Sequence, residues 1–407
     1  MILAMSFAAA FALNSGDRVV FYGDSITEQR LYTTYVEAFV TTRYPGLDVH
    51  FFNRGWSGDA SWGGGGGLPS DRARLDVAPL KPTQICVMLG MNDGGYVPYD
   101  SKIEEAIKEW YPKVLDALSA TSPRARLTLI RTSPWDDFAH SYASVGKPPE
   151  PWAPWKGYND SLQRYGLIAK NEAEKRGGQF VDFNQPLCDV LTKAAQKDPS
   201  SAERIIPDSI HPGPGGHLIM AGCLLDAWHA NPTVSAVVIN AKTQVVISSH
   251  QAKVSNLKNL SWSQIDNCLP FVADPNDPVL HLAGSVGMFD ELRNREMLTI
   301  QGLEEGTYQL SIDRHVVATL SSFELAGGVN LAAFDTPIRQ QAHTVLDLVR
   351  KRAEIQFTAW RTIQRESSDA KSSKAAYDTL EKLAEELHQQ SRAAAIPKPR
   401  QFSLKRV

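Results

Sequence analysis

Residues 18–30 read RVVFYGDSITEQR, and the character of the chain changes in the middle of that run. Arg18–Tyr22 is a short, apolar, β-prone stretch. From Ile26 onward Leu31, Tyr35 and Phe39 recur at four-residue steps, which predicts a helix over Ile26–Val40. A serine therefore sits where a strand hands over to a helix, preceded by Gly23 and Asp24. The same alternation continues outward. Strand-like runs fall at Asp48–Phe52, Gln84–Leu89, Arg126–Arg131 and Gln179–Phe183, with helical segments between them. One of these, Ser101–Leu118, opens on a capping-box pattern of Ser101 and Glu104 and carries Ile103, Ile107, Trp110 and Val114 on one stripe. Five strands separated by helices predict a parallel sheet covered on both faces, a three-layer, doubly wound α/β domain over residues 14–232.

Beyond Pro232 the texture shifts. Short strand-like runs at Val234–Ile239, Gln244–Ile247, Met297–Ile300, Tyr308–Ile312 and His315–Leu320 predict a small antiparallel β-rich unit within residues 233–336. Residues 337–395 read as helical. Ile338, Ala342, Val345 and Val349 share a face, and a thin Leu380, Leu383, Leu387 stripe is expected to pack on its own protein. The basic residues 396–407 are expected to form a disordered tail.

At 407 residues the chain can bury a large core without a metal or disulfide framework. A net charge of −3 excludes a basic field for nucleic acid, so no nucleic-acid partner is expected. The four cysteines, Cys86, Cys188, Cys223 and Cys268, lie far apart. Their spacing leaves one disulfide open and shows no zinc pattern. No metal and no cofactor are expected. The first twelve residues, MILAMSFAAAFA, are apolar but too short to span a bilayer. Residues 1–13 are read as a signal-peptide remnant or an N-terminal arm, so export to a periplasmic or extracellular location is expected and a membrane partner is not.

In open α/β sheets ligands bind beyond the carboxyl ends of the strands. Four segments follow strands there: Gly23-Asp24-Ser25, Asn53-Arg54-Gly55-Trp56-Ser57-Gly58, Gly90-Met91-Asn92-Asp93, and Asp208-Ser209-Ile210-His211. Acyl transfer needs this set of groups. A serine hydroxyl is inert until a base takes its proton, and neutral imidazole does so near pH 7. His211 is the candidate base for Ser25, with Asp208 orienting its ring. The N–H groups of Ser25 and Gly55 and the Asn92 amide are the candidate oxyanion donors. A bare helix cap at Asp24 and Ser25 is the simple alternative, and it does not explain the other three segments. Asp93 is expected to brace its turn, and His217 to be structural.

These four blocks, in this order, resemble the SGNH hydrolases, also called the GDSL esterase/lipase family, over about residues 17–230. The resemblance implies a flavodoxin-like fold, a parallel five-stranded sheet and serine esterase activity. It also implies Ser25 as nucleophile, His211 as base, Asp208 as third triad member, and Gly55 and Asn92 as oxyanion donors. Members with an added β unit and an exported N-terminus often resemble carbohydrate esterases that remove acetyl groups. The expected substrate is thus an acetylated glycan or another acylated small molecule. Trp56, Trp62, Trp135, Trp152 and Trp155, in loops near the mouth, are candidates for contact with sugar faces, with Tyr96 and Tyr158 beside them. The Pro148–Trp155 segment is the candidate substrate wall, and the glycine run 63–67 is either a connection or a mobile flap. Two other readings stand beside this one. The first is a short-chain carboxylester or thioester hydrolase for small metabolites. The second is a glycan-binding module without catalysis, which would require loss of the serine, histidine or asparagine; none is missing.

Overall fold

The computed structural model describes residues 10–136, 157–274, 276–366 and 370–407. Its centre is a sheet of five parallel strands: β1 (Arg18–Gly23), β2 (His50–Gly55), β3 (Gln84–Leu89), β4 (Arg126–Arg131) and β5 (Gln179–Asp182), ordered β2-β1-β3-β4-β5. Side chains alternate across it, as the pleat dictates. Val19, Phe21, Cys86 and Met88 join a core with the helices Leu31–Arg43 and Pro214–Ala227 on one face. Val20, Tyr22, Ile85 and Val87 join the opposite core, with the helices Ser101–Thr121 and Tyr158–Arg176. This is the predicted three-layer α/β sandwich. Helix Ser101–Thr121 is capped by Asp100, whose carboxylate accepts the Lys102 N–H at 2.8 Å, rather than by the expected Ser101–Glu104 box.

The strand order reverses beside β1, where β2 lies on one side and β3 on the other. Gly23 pairs in register with Gly55 and with Met88, so three strands end level and their following loops meet over one crevice.

The second half is richer than a small antiparallel unit. Strands Thr233–Asn240 and Arg295–Gln301 pair in parallel within a four-stranded sheet. A separate five-stranded sheet is antiparallel throughout. The segment expected to be a disordered basic tail supplies its middle strand, Arg400–Arg406, between Thr307–Ile312 and Ser261–Asp266. Phe402 and Leu404 point inward at period two, and Phe402 stacks on Trp262 at 5.1 Å. The basic residues Lys398, Arg400, Lys405 and Arg406 around it hid that pattern.

Helix Pro337–Phe357 lies on helix Leu31–Arg43 and buries Ile338, Ala342, Val345 and Val349. A π-helical segment, Thr358–Arg365, follows. Helix Ala370–Ala394 packs against its predecessor, but its buried face runs through Ala384, Leu387, His388 and Ser391 while Leu383 is exposed. All four cysteines are free thiols. Among the described residues no helix is long and apolar enough to cross a membrane.

Candidate active site

Ser25 begins a one-turn helix, Ser25–Glu28, directly after β1. Asp24 caps that turn, its Oδ1 accepting the Ile26 N–H at 3.0 Å, which frees Ser25 to face the crevice. Asp24 is fully buried, and burial pushes its carboxyl up to about 7.

His211 comes to Ser25 from 186 residues away, its Nε2 lying 2.8 Å from Ser25 Oγ. On the other side of the ring, Nδ1 lies 2.7 Å from Asp208 Oδ2. Asp208 Oδ1 accepts the backbone N–H groups of Ile210 at 3.0 Å and His211 at 2.7 Å, so one carboxylate fixes both the ring and its loop. Ser209 takes a left-handed conformation, φ 68°, which folds the loop back on that carboxylate. The hydrogen bond to Asp208 raises the imidazole pKa above its usual value against the opposing effect of burial. Burial works to raise Asp208, but the bonds from His211 outweigh it and leave the carboxyl lowered.

Asn92 stands after β3 with its amide oriented. The Tyr96 hydroxyl donates to Asn92 Oδ1 at 2.6 Å, and Asn92 Nδ2 donates to the Asp59 carbonyl at 2.9 Å. One amide hydrogen is then left for a ligand. Asp93 is buried, accepts the Ser61 N–H at 2.9 Å and also takes backbone hydrogen bonds at Gly90 and at Asp93 itself, so it braces both the adjacent loop and its own turn. His217 is buried in the helix that follows, accepting the Tyr32 N–H and facing Gln29 Oε1 at 2.8 Å.

Gly55 does not have the role expected of it. Its N–H donates to Asn53 Oδ1 at 3.0 Å, and a methyl there would run into the backbone of Thr27 and Glu28. It is a close-packing glycine. Three residues on, Gly58 is exposed, has φ 77°, and makes no hydrogen bond through its N–H among the described residues. Its neighbour Asp59 carries the carbonyl that Asn92 touches. The sequence signal was present in Ser57-Gly58-Asp59, masked by the nearer glycine.

The candidate aromatic contacts divide. Trp56 is buried among Trp360, Arg72, Arg361 and Arg365 and presents no open face to a ligand. Trp62 is exposed. Trp152 and Trp155, with the Pro148–Trp155 wall, lie outside the described residues. Trp135 joins Tyr96 and Tyr158, with ring centroids 5.4 to 5.9 Å apart. The next residue, Asp136, donates its N–H to the Ser209 carbonyl in the His211 loop. Trp135 thus bridges the Asn92 and His211 sides, and it lines a cleft of about 550 Å³ with Asn159, Cys188, Leu191, Thr192 and Gln196. The glycine run is no free flap. It folds into two tight turns, Ala60 with Gly63 and Gly64 with Gly67, held by Asp59, Arg72 and Arg365.

Residues 21–219 match the model of the GDSL-like lipase/acylhydrolase family. The chain carries a GDSL-like lipase/acylhydrolase domain over those residues. That domain makes it a serine ester hydrolase. Its GDSL-like domain contains Ser25, Gly58, Asn92, Asp208 and His211. The whole chain is similar in fold to a gut microbial diltiazem-metabolizing enzyme, with 24% identity, TM-score 0.81, and coverage of 98% of this chain and 99% of that one. Axe2, an acetylxylan esterase from Geobacillus stearothermophilus, aligns at 23% identity and TM-score 0.39, over 53% of this chain and 96% of its own. Comparison with curated proteins gave no match. Within the described residues three metal-ligating side chains meet away from this site: Asp48, His50 and His388.

Proposed function

We propose that Ser25, His211 and Asp208 form the catalytic triad of an esterase that removes short acyl groups, foremost acetyl, from carbohydrate hydroxyls. The observation that carries this reading is the unbroken relay from Asp208 Oδ2 to His211 Nδ1, and from His211 Nε2 to Ser25 Oγ, at 2.7 and 2.8 Å. His211 takes the Ser25 proton as Oγ bonds to the ester carbonyl carbon. The carbonyl oxygen becomes an oxyanion that accepts from Ser25 N–H, Asn92 Nδ2 and, in place of Gly55, Gly58 N–H. Collapse breaks the bond to the leaving oxygen, and His211 returns the proton to that alcohol. Water, deprotonated by His211, then releases the acid and restores Ser25.

The cleft beside Trp135 supports a sugar-sized leaving group, because the edge of that aromatic ring lines it together with the polar side chains of Asn159, Thr192 and Gln196. A second reading, a short-chain ester hydrolase for small apolar metabolites, draws on the other wall, made by Leu191, Ala195, Pro199 and Ala202. Acetate release from acetylated xylo-oligosaccharides, with p-nitrophenyl acetate beside it and Ser25→Ala as blank, separates them. Release from both, lost in the variant, is the expected result. Release from the aryl ester alone moves the substrate to the second reading.

A further inference from the structure

Asp48 and His50 lie at the start of β2, the opposite end of the strand from the Gly55 turn and the catalytic crevice. They are two apart in an extended segment, so both side chains leave on the same face. Helix Ala370–Ala394 crosses that face and brings Glu385 and His388, one turn apart. One ligand atom from each of Asp48, His50 and His388 lies within 4.8 Å of the others. Asp48 Oδ1 is 2.9 Å from His388 Nε2 and 3.7 Å from His50 Nδ1. Ligand atoms around a four-coordinate zinc ion sit roughly 3.4 Å apart, given bonds of about 2.1 Å. The two measured separations fall on either side of that value.

Second, His50 Nε2 lies 3.0 Å from Glu385 Oε2. In neutral imidazole that nitrogen carries the hydrogen, which leaves a lone pair on Nδ1 facing the Asp48 carboxylate. Two electron-rich atoms then oppose each other across a gap that a metal cation would bridge. Carboxylate, imidazole and metal in line is the common outer arrangement of histidine metal ligands. The other Asp48 oxygen is held by Arg392 at 3.4 Å, so Oδ1, now hydrogen-bonded to His388 Nε2, is the oxygen that would coordinate once a metal replaces that hydrogen. Arg352, which also faces His388, is paired with Glu37. His388 is buried and His50 nearly so, while Asp48 is partly open, which leaves a fourth position for water.

We propose that Asp48, His50 and His388 bind one zinc ion, with Glu385 orienting His50, and that the ion fastens the C-terminal helix to the hydrolase domain. The donor set of two imidazoles and one carboxylate, with no thiolate, suits zinc and its spectroscopic substitute cobalt. The proposal is independent of the role of Ser25, which lies at the far end of the sheet.

The test uses the full chain, stripped with chelator and titrated with ZnCl2 alone by calorimetry and with CoCl2 by visible absorption. One equivalent of zinc bound, the intense d–d bands of four-coordinate cobalt, and a thermal midpoint that rises with zinc are the expected results. His50→Gln and His388→Gln should remove that equivalent, Glu385→Gln should weaken it about 10–100-fold, and Ser25→Ala should bind as the wild type does. Absence of a one-equivalent endpoint in the wild type overturns the proposal, and leaves the cluster as hydrogen bonds joining His50 to Glu385 and His388 to Asp48. Binding retained by both histidine variants also overturns it, because the metal would then lie elsewhere. If the variants do not fold, the wild-type cobalt spectrum decides, and only octahedral bands would count against the site.

Discussion

The Arg361 guanidinium lies over the Trp56 indole, 3.3 Å from the ring centroid, and joins the π-helical segment near the C-terminus to the loop that follows β2. Around this contact Trp360 meets Trp56 edge-on at 5.7 Å and donates its indole N–H to Asp76 at 2.9 Å. Arg365 donates to the Gly66 carbonyl, also at 2.9 Å. The catalytic loop is thus backed by residues that are some 300 positions distant in the chain. Trp360→Ala should cost about 3–5 kcal/mol of stability, as for other buried aromatic truncations. Because the loop bearing Gly58 loses its backing, kcat should fall as well, with KM for a small ester little changed. Urea unfolding read beside steady-state kinetics checks both; unchanged kcat in a folded variant would remove the loop-positioning role.

Asn92 and Gly58 are tested as a pair. Asn92→Ala should lower kcat by about 10²–10³-fold with KM near the wild-type value, since an oxyanion donor acts in the transition state. Gly58→Ala should lower kcat too, because a left-handed residue with a Cβ shifts the N–H. Gly55→Ala should instead give poorly folded protein, since the methyl meets the Thr27 and Glu28 backbone. A folded Gly55→Ala enzyme with a pure kcat defect would return the donor role to Gly55.

These contrasts mark what a linear reading reaches. Ser25 and Asn92 were legible as candidates because they follow β1 and β3, and strand ends in a parallel sheet converge by topology, whereas His211 reaches the crevice from a loop that helices Asn184–Lys197 and Pro199–Ala202 separate from β5. Gly58, proposed here as a donor, does not stand out in the sequence because two glycines in one loop look alike until the Asn53 side chain claims the first. Trp56 stands in the sequence as a candidate ligand contact because its packing partners Trp360 and Arg361 are remote, and a similar distance separates Asp48 and His50 from His388. The strand Arg400–Arg406 was lost to composition, where the basic residues at both of its ends outweighed the short Phe402 and Leu404 alternation.

Ser25→Ala should leave the unfolding midpoint within experimental error of the wild type and remove turnover. The hydroxyl makes one bond, to His211, at a half-open site, so its loss creates no sizeable cavity. Residual activity at the wild-type level would mean another nucleophile.

Asp208→Asn addresses the pH dependence. The base form of His211 is required, so kcat/KM should rise with pH through the imidazole pKa and level off above it. The hydrogen bond to Asp208 is the largest influence raising that pKa, which places the acid limb of the profile above the usual histidine value. An uncharged amide at 208 removes that influence and leaves burial, which acts downward, so the limb should move to lower pH. The plateau should fall by about 10²–10⁴-fold, since the ring loses both its orientation and the charge that stabilises the imidazolium. A lower plateau with an unmoved limb would assign that limb to another group. The buried Asp24 carboxyl, at about 7, is the nearest one whose titration falls in the same range.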